Sequence, residues 1–183
     1  MKLVPFLKIA IRDMKRVAAL MPSSKYAVRR ISRLLPERLD NVLEYGPGDG
    51  AVTRAILGKM SPSGRLLAIE TNHDFVTCLN QIGDKRLRVI HGQAGQAADF
   101  ARQNQLEGFD AIVSGIPFSL LPPARRREIA AMTRDLLRPG GVFLVYQTSS
   151  MMERYLKEDF RVRTQIEPLN VPPYFIMRAV RRE

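Results

Sequence analysis

Three glycines and two acids crowd into one eight-residue stretch, Leu43-Glu44-Tyr45-Gly46-Pro47-Gly48-Asp49-Gly50. The stretch follows a short apolar run and opens into a helical pattern, Ala51 to Met60, so it reads as the loop joining a first parallel strand to the helix behind it. Gly46 and Gly48 remove the Cβ atoms that would keep the backbone off a ligand, and Gly50 lets the helix begin close to the sheet. A dinucleotide pattern needs glycine at 46, 48 and 51; position 51 is Ala, a tolerated variant, so glycine spacing alone decides little. Two carboxylates sharpen the reading. Glu44 precedes the first glycine, and the next apolar strand, Leu66-Leu67-Ala68-Ile69, ends in Glu70, placed to accept both hydroxyls of a ribose. A tight strand-to-helix turn beside a surface glutamate would use the same letters.

The combination E-x-G-x-G-x-G followed by such a Glu resembles the cofactor site of class I S-adenosylmethionine-dependent methyltransferases. The resemblance implies S-adenosyl-L-methionine as cofactor and S-adenosyl-L-homocysteine as product. It implies a cofactor site of Glu44, Tyr45, Gly46, Gly48, Gly50, Glu70, Thr71, Gln93, Ala94 and Ser114. Gly92-Gln93-Ala94 stands where the family usually has an acid followed by Ala against the adenine; the Gln93 carbonyl can still accept from the adenine amine. Methyl transfer needs an in-line nucleophile and little acid-base machinery. Consistently, the chain has no Ser-His-Asp or paired-carboxylate arrangement, and its two His and one Cys offer no cluster for a transition metal.

The nucleophile is read from Ser114-Gly115-Ile116-Pro117-Phe118, the loop after the fourth strand, which faces the reacting end of the cofactor in a doubly wound sheet. Adenine N6-methyltransferases carry a polar residue two before the Pro of a comparable loop. Here that position is Gly115, and Ser114 lies one residue too early. With the amphipathic basic start of the chain and Pro22-Ser23-Ser24, the loop resembles the bacterial phospholipid N-methyltransferase family, whose members methylate phosphatidylethanolamine stepwise towards phosphatidylcholine. That resemblance implies a substrate side made of Ser114, Gly115, Ile116, Pro117 and Phe118, with Tyr26 and Phe118 as aromatic residues able to hold a methylated ammonium. An enzyme acting on adenine N6 of ribosomal RNA is the alternative.

The positioning elements follow in order. Leu3 to Met21 forms an amphipathic helix with Lys8, Arg12, Lys15 and Arg16 opposite its apolar face, suited to an anionic membrane surface or to packing on the domain core. Ser23 or Ser24 then caps a helix from Lys25 to Leu35, bearing Lys25, Arg29, Arg30 and Arg33. Residues 1–35 are thus read as a basic helical cap and 36–183 as the cofactor-binding domain. Beyond Pro36, strands and helices alternate: strands Asn41–Glu44, Leu66–Glu70, Leu87–His91, Ala111–Val113 and Val142–Gln147, with helices Ala51–Met60, Asp74–Gln81 and Ala124–Leu137 between them. Arg138-Pro139-Gly140-Gly141 reads as a sharp turn, Ser150 to Glu158 as helical, and Val162–Glu167 with Phe175–Val180 as an antiparallel pair. The expected fold is α/β and Rossmann-like: a seven-stranded, mostly parallel sheet with a C-terminal antiparallel hairpin and an N-terminal helical extension.

Charge and cysteine usage bound the partners. Lys and Arg number 29 against 18 acids, a formal net charge of +11, which calls for a polyanionic partner. The membrane reading assigns that role to anionic lipids and makes nucleic acid the lesser candidate; no protein partner is inferred. One cysteine, Cys78, excludes an internal disulfide, reads as a small helix-packing residue and fits a reducing cytoplasm, with peripheral binding at the inner face of the membrane. The three arginines 125–127 cannot share one helix face, so they read mainly as solvated surface.

Overall fold

The computed structural model describes residues 23–182. The helix expected over Leu3 to Met21, and Pro22 after it, lie outside these residues.

Short apolar runs bounded by turn residues become strands, and seven of them form one sheet in the order β3-β2-β1-β4-β5-β7-β6. β1 (Asn41–Tyr45), β2 (Arg65–Glu70), β3 (Leu87–His91), β4 (Phe109–Ser114) and β5 (Leu137–Gln147) are parallel. β7 (Tyr174–Arg181) runs antiparallel to both β5 and β6 (Phe160–Glu167). The expected seven-stranded fold with its antiparallel C-terminal pair is therefore the observed one.

β1, β2, β4 and the second half of β5 are buried almost throughout, as parallel strands covered on both faces must be. On one face lie α1 (Lys25–Leu34) and α2 (Ala51–Leu57), which bury Ala27, Ile31, Val52 and Ile56 against Val42, Leu66, Ala111 and Leu144. On the other lie α4 (Ala97–Gln103), α5 (Pro123–Leu136) and α6 (Glu153–Leu156), packing Ala97, Ile129 and Leu156 on Leu43, Ile112 and Phe143. Full burial of each larger aliphatic side chain contributes about 1.5–3 kcal/mol.

Ser24 provides the cap of α1, its Oγ accepting from the Ala27 N–H at 3.2 Å. The far end is fixed by cations, which suit carbonyl-rich helix termini: Lys59 Nζ donates to Ser32 O at 2.9 Å and Arg178 Nε to Leu34 O at 3.0 Å. Midway, Arg30 pairs with the buried Glu167 of β6 at 2.6 Å. That pairing holds the Glu167 carboxyl below its usual range.

Four local expectations need revision. The helix Ala97–Gln103 was not foreseen, because it buries only Ala97 and Ala101 and so carries no stripe of large apolar residues. The turn Arg138–Gly141 belongs to β5: Phe109 pairs with Leu137 and Ala111 with Val142, so residues 138–141 bulge from the ladder. The helix expected over Ser150 to Glu158 is confined to Glu153–Leu156. Cys78 is exposed on α3 (His73–Asn80), where Leu79 alone is buried.

Candidate active site

A cleft of about 530 Å³ opens at the carboxyl ends of β1 to β4, within the size range of small-molecule sites. Its walls include Gly46, Gly48, Glu70, Thr71, Gln93 and Ala94 from the expected cofactor set, and Gly115, Ile116 and Pro117 from the expected acceptor set. The sheet brings them together because β3, β2, β1 and β4 are consecutive neighbours, so their carboxyl-end loops line up in that order.

The glycine loop leaves β1 with Gly46 at φ +63° and Gly48 at φ +56°, a left-handed region that side-chain-bearing residues rarely adopt. Glu70, 6% exposed, is oriented by three backbone donors and, at 3.4 Å, by the Thr71 hydroxyl. Its Oε2 accepts from Gly48 N at 3.1 Å, and its Oε1 from Thr71 N at 2.8 Å and Asn72 N at 2.9 Å. An ionised carboxylate has about four lone-pair sites, so an acceptor direction on Oε2 remains for a ribose hydroxyl. The backbone cradle and the fixed carboxylate fit a nucleoside-bearing cofactor.

Glu44 and Tyr45 sit behind this surface, not in it. Glu44 is fully buried, with Thr53 Oγ1 donating to its Oε2 at 2.7 Å and no partner for Oε1 among the described residues. Burial, with the nearby charges of Glu70 and Asp49, outweighs the Thr53 bond and pushes the Glu44 carboxyl up to about 8. Tyr45 points into the opposite core layer, where its hydroxyl meets Thr133 Oγ1 of α5 at 3.2 Å. Gly50 caps α2 away from the cleft wall; a Cβ there would meet Leu79 Cδ2 at 2.9 Å, so it serves helix packing.

The loop after β4 is clamped from several sides. Gly115 N donates to Tyr45 O at 2.9 Å, Phe118 N to Gln147 Oε1 at 3.0 Å, and Arg126 Nε to Phe118 O at 2.9 Å. Arg126 is buried and its guanidinium also reaches Ser119 O and Tyr155 Oη, each at 3.3 Å. The middle arginine of the run is therefore a structural donor and not solvated surface. Arg125 lines the cleft and pairs with Glu128.

Gly115 has a steric cause: a Cβ there would lie 2.5 Å from Tyr146 Oη and 2.9 Å from Gly46 O. Ser114 is fully buried, its Oγ accepting from Ile116 N at 3.3 Å, and is not part of the cleft wall. Phe118 is fully buried in the core, so it anchors the loop and presents no face for stacking. Tyr26 lies in the first turn of α1 and lines a separate groove with Arg29, Arg33 and Leu169. Sequence reasoning missed Asn72, Phe75, Leu121 and Arg125 as cleft residues and Tyr146 as the neighbour of Gly115. None of them carries a motif; only the neighbouring helices and β5 bring them there.

The family described as methyltransferase domain matches residues 42–141, more than half of the chain. The chain belongs to that family. It is a class I methyltransferase, and its cofactor is S-adenosylmethionine. An ornithine lipid N-methyltransferase from Singulisphaera acidiphila is 28% identical over 162 residues, covering 86% of this methyltransferase and 84% of that protein. A ribosomal RNA small subunit methyltransferase A from a Burkholderia species is 32% identical over 94 residues, which is 51% of this chain and 34% of that one. Among solved structures, the N-methyltransferase NodS from Bradyrhizobium japonicum in complex with S-adenosyl-L-homocysteine has the same fold, with TM-score 0.67 and 16% identity over 87% of this chain and 89% of that one.

Proposed function

We propose that this methyltransferase acts on the ethanolamine amine of phosphatidylethanolamine, stepwise towards phosphatidylcholine, at the anionic inner face of a cytoplasmic membrane. The observation that carries the reading is the nearly end-to-end similarity to a lipid N-methyltransferase, 86% of one chain on 84% of the other. Both lipids offer an amine on a membrane-anchored headgroup. The RNA-modifying relative is matched over about half of this chain only.

When bound, S-adenosylmethionine supplies a methyl group activated by its sulfonium. The chain's residues supply position. Glu70, Gln93 and Ala94, which line the cleft at the ends of β2 and β3, would hold the adenosine side of the cofactor. The acceptor amine would enter beside Gly48, Ile116 and Pro117, in the cleft at the ends of β1 and β4. Burial pushes the Tyr146 phenol well above its usual range, so it stays a neutral hydroxyl at physiological pH and is not the base that removes the amine proton. The hydrogen-bonded loop keeps Ile116 and Pro117 at the cleft wall, where they orient the approach of the amine.

The second reading, methylation of adenine N6 in ribosomal RNA, is favoured by the Burkholderia relative. Against it stands Gly115, where a polar side chain would collide with Tyr146 and Gly46. The test is incubation of the purified protein with radiolabelled S-adenosylmethionine and phosphatidylethanolamine dissolved in detergent micelles. Label should enter the lipid phase as mono-, di- and trimethylated headgroups; a lipid phase free of label defeats the proposal.

A further inference from the structure

The large apolar side chains left exposed among the described residues are Tyr26, Leu120, Met151, Ile166, Leu169 and Val171. They are not scattered. Leu120 follows β4, Met151 follows β5, and Leu169 and Val171 sit in the loop after β6, preceded by Ile166 near the end of that strand. β7 is antiparallel to both β5 and β6, so the carboxyl end of β6 lies on the same edge of the sheet as the carboxyl ends of β1 to β5. Tyr26 joins this rim because α1 starts there: Ser24 N donates to Asn170 Oδ1 of the β6–β7 loop at 2.9 Å. The cofactor cleft opens on the same edge, and Leu120 is part of its wall.

We infer that this rim docks on an anionic bilayer, with Leu169 and Val171 entering the interfacial layer and Arg29 and Arg33 on lipid phosphates. Leu169 and Val171 are 58% and 73% exposed. Tyr26, Arg29, Arg33 and Leu169 line one shared groove, so apolar and cationic groups meet the same surface. Interfacial binding by proteins uses this pairing of apolar insertion and attraction to anionic lipid. The chain's formal charge of +11 complements such a surface. The geometry also serves turnover, because a headgroup held in the bilayer reaches Gly115 from the docked edge without leaving the membrane.

This inference rests on the lipid-substrate reading, and its test separates the two. The sequence has no tryptophan, so Leu169→Trp provides a single indole reporter at the tip of the loop. Vesicles of phosphatidylglycerol and phosphatidylethanolamine should shift its emission to shorter wavelength and make it quenchable by brominated acyl chains; neutral phosphatidylcholine vesicles should do so much less. The pair Leu169→Ser and Val171→Ser should weaken vesicle binding roughly tenfold or more and lower the rate on vesicles far more than the rate on micelles. Arg29→Gln with Arg33→Gln should reduce the dependence of binding on anionic lipid. An indole that stays water-exposed on vesicles the protein binds, or that responds to ribosomal RNA in place of vesicles, overturns the docking face. If micellar phosphatidylethanolamine is not methylated while the indole inserts, the substrate reading fails and the docking face stands.

Discussion

Glu44→Gln isolates the buried carboxyl behind the glycine loop. In the unfolded chain this group titrates near 4.5 and in the fold near 8, so between those values the native state holds a proton that the unfolded state has released. Stability is therefore greatest at low pH with respect to this group, and is lost as pH rises towards and through about 8. Evaluating the linkage from pH 6 to pH 9 gives a loss of about 2.5 kcal/mol, or roughly 5 to 10 °C in Tm for a chain of this size. The lowered carboxyls, Asp40, Asp84, Glu153 and Glu167, act in the acid range and leave this window clear. The assay is thermal unfolding of the cofactor-free protein at several pH values, wild type beside Glu44→Gln. The wild type should lose stability across the window and the variant, which cannot ionise there, should change much less. Parallel curves for the two proteins would refute the assignment of a protonated carboxyl to Glu44.

Other substitutions probe the cleft. Glu70→Ala should weaken S-adenosylmethionine binding by about 1.5–3 kcal/mol, the loss of hydrogen bonds to a charged group, with calorimetry as the readout; unchanged affinity would place the cofactor elsewhere. Gly115→Ser should abolish methyl transfer, because its Cβ would meet Tyr146 Oη and Gly46 O, and Tyr146→Phe in the same chain should restore part of the loss by removing the nearest atom. Arg126→Lys should destabilise the fold by about 1–3 kcal/mol in denaturant titrations, since an ammonium cannot reproduce a guanidinium fork that serves two carbonyls and a phenol.

The fold was legible because its parallel strands are continuous apolar runs with glycine, proline and serine between them. That Gly46, Gly48 and Glu70 meet in one cleft was legible for a related reason: they reach its wall through backbone shape and strand position, which spacing encodes. The loop after β4 was less so. Ser114, Gly115 and Phe118 stand in one loop, yet Ser114 and Phe118 turn inward while Gly115 faces the cleft, a division decided by Gln147, Arg126 and Tyr146 from β5 and α5. The chemistry of Tyr26 suits a mouth aromatic, but α1 carries it to a separate groove on the rim. The burial of Arg126 is invisible in the run of three arginines because it depends on the carbonyls of Phe118 and Ser119, which sequence spacing does not point to it.

The most direct measurement supplies radiolabelled S-adenosylmethionine to the protein with phosphatidylethanolamine-containing anionic liposomes in one reaction and ribosomal RNA in another. Label should appear in the lipid and not in the RNA. Label in the RNA alone would mean that the enzyme modifies RNA and not phosphatidylethanolamine.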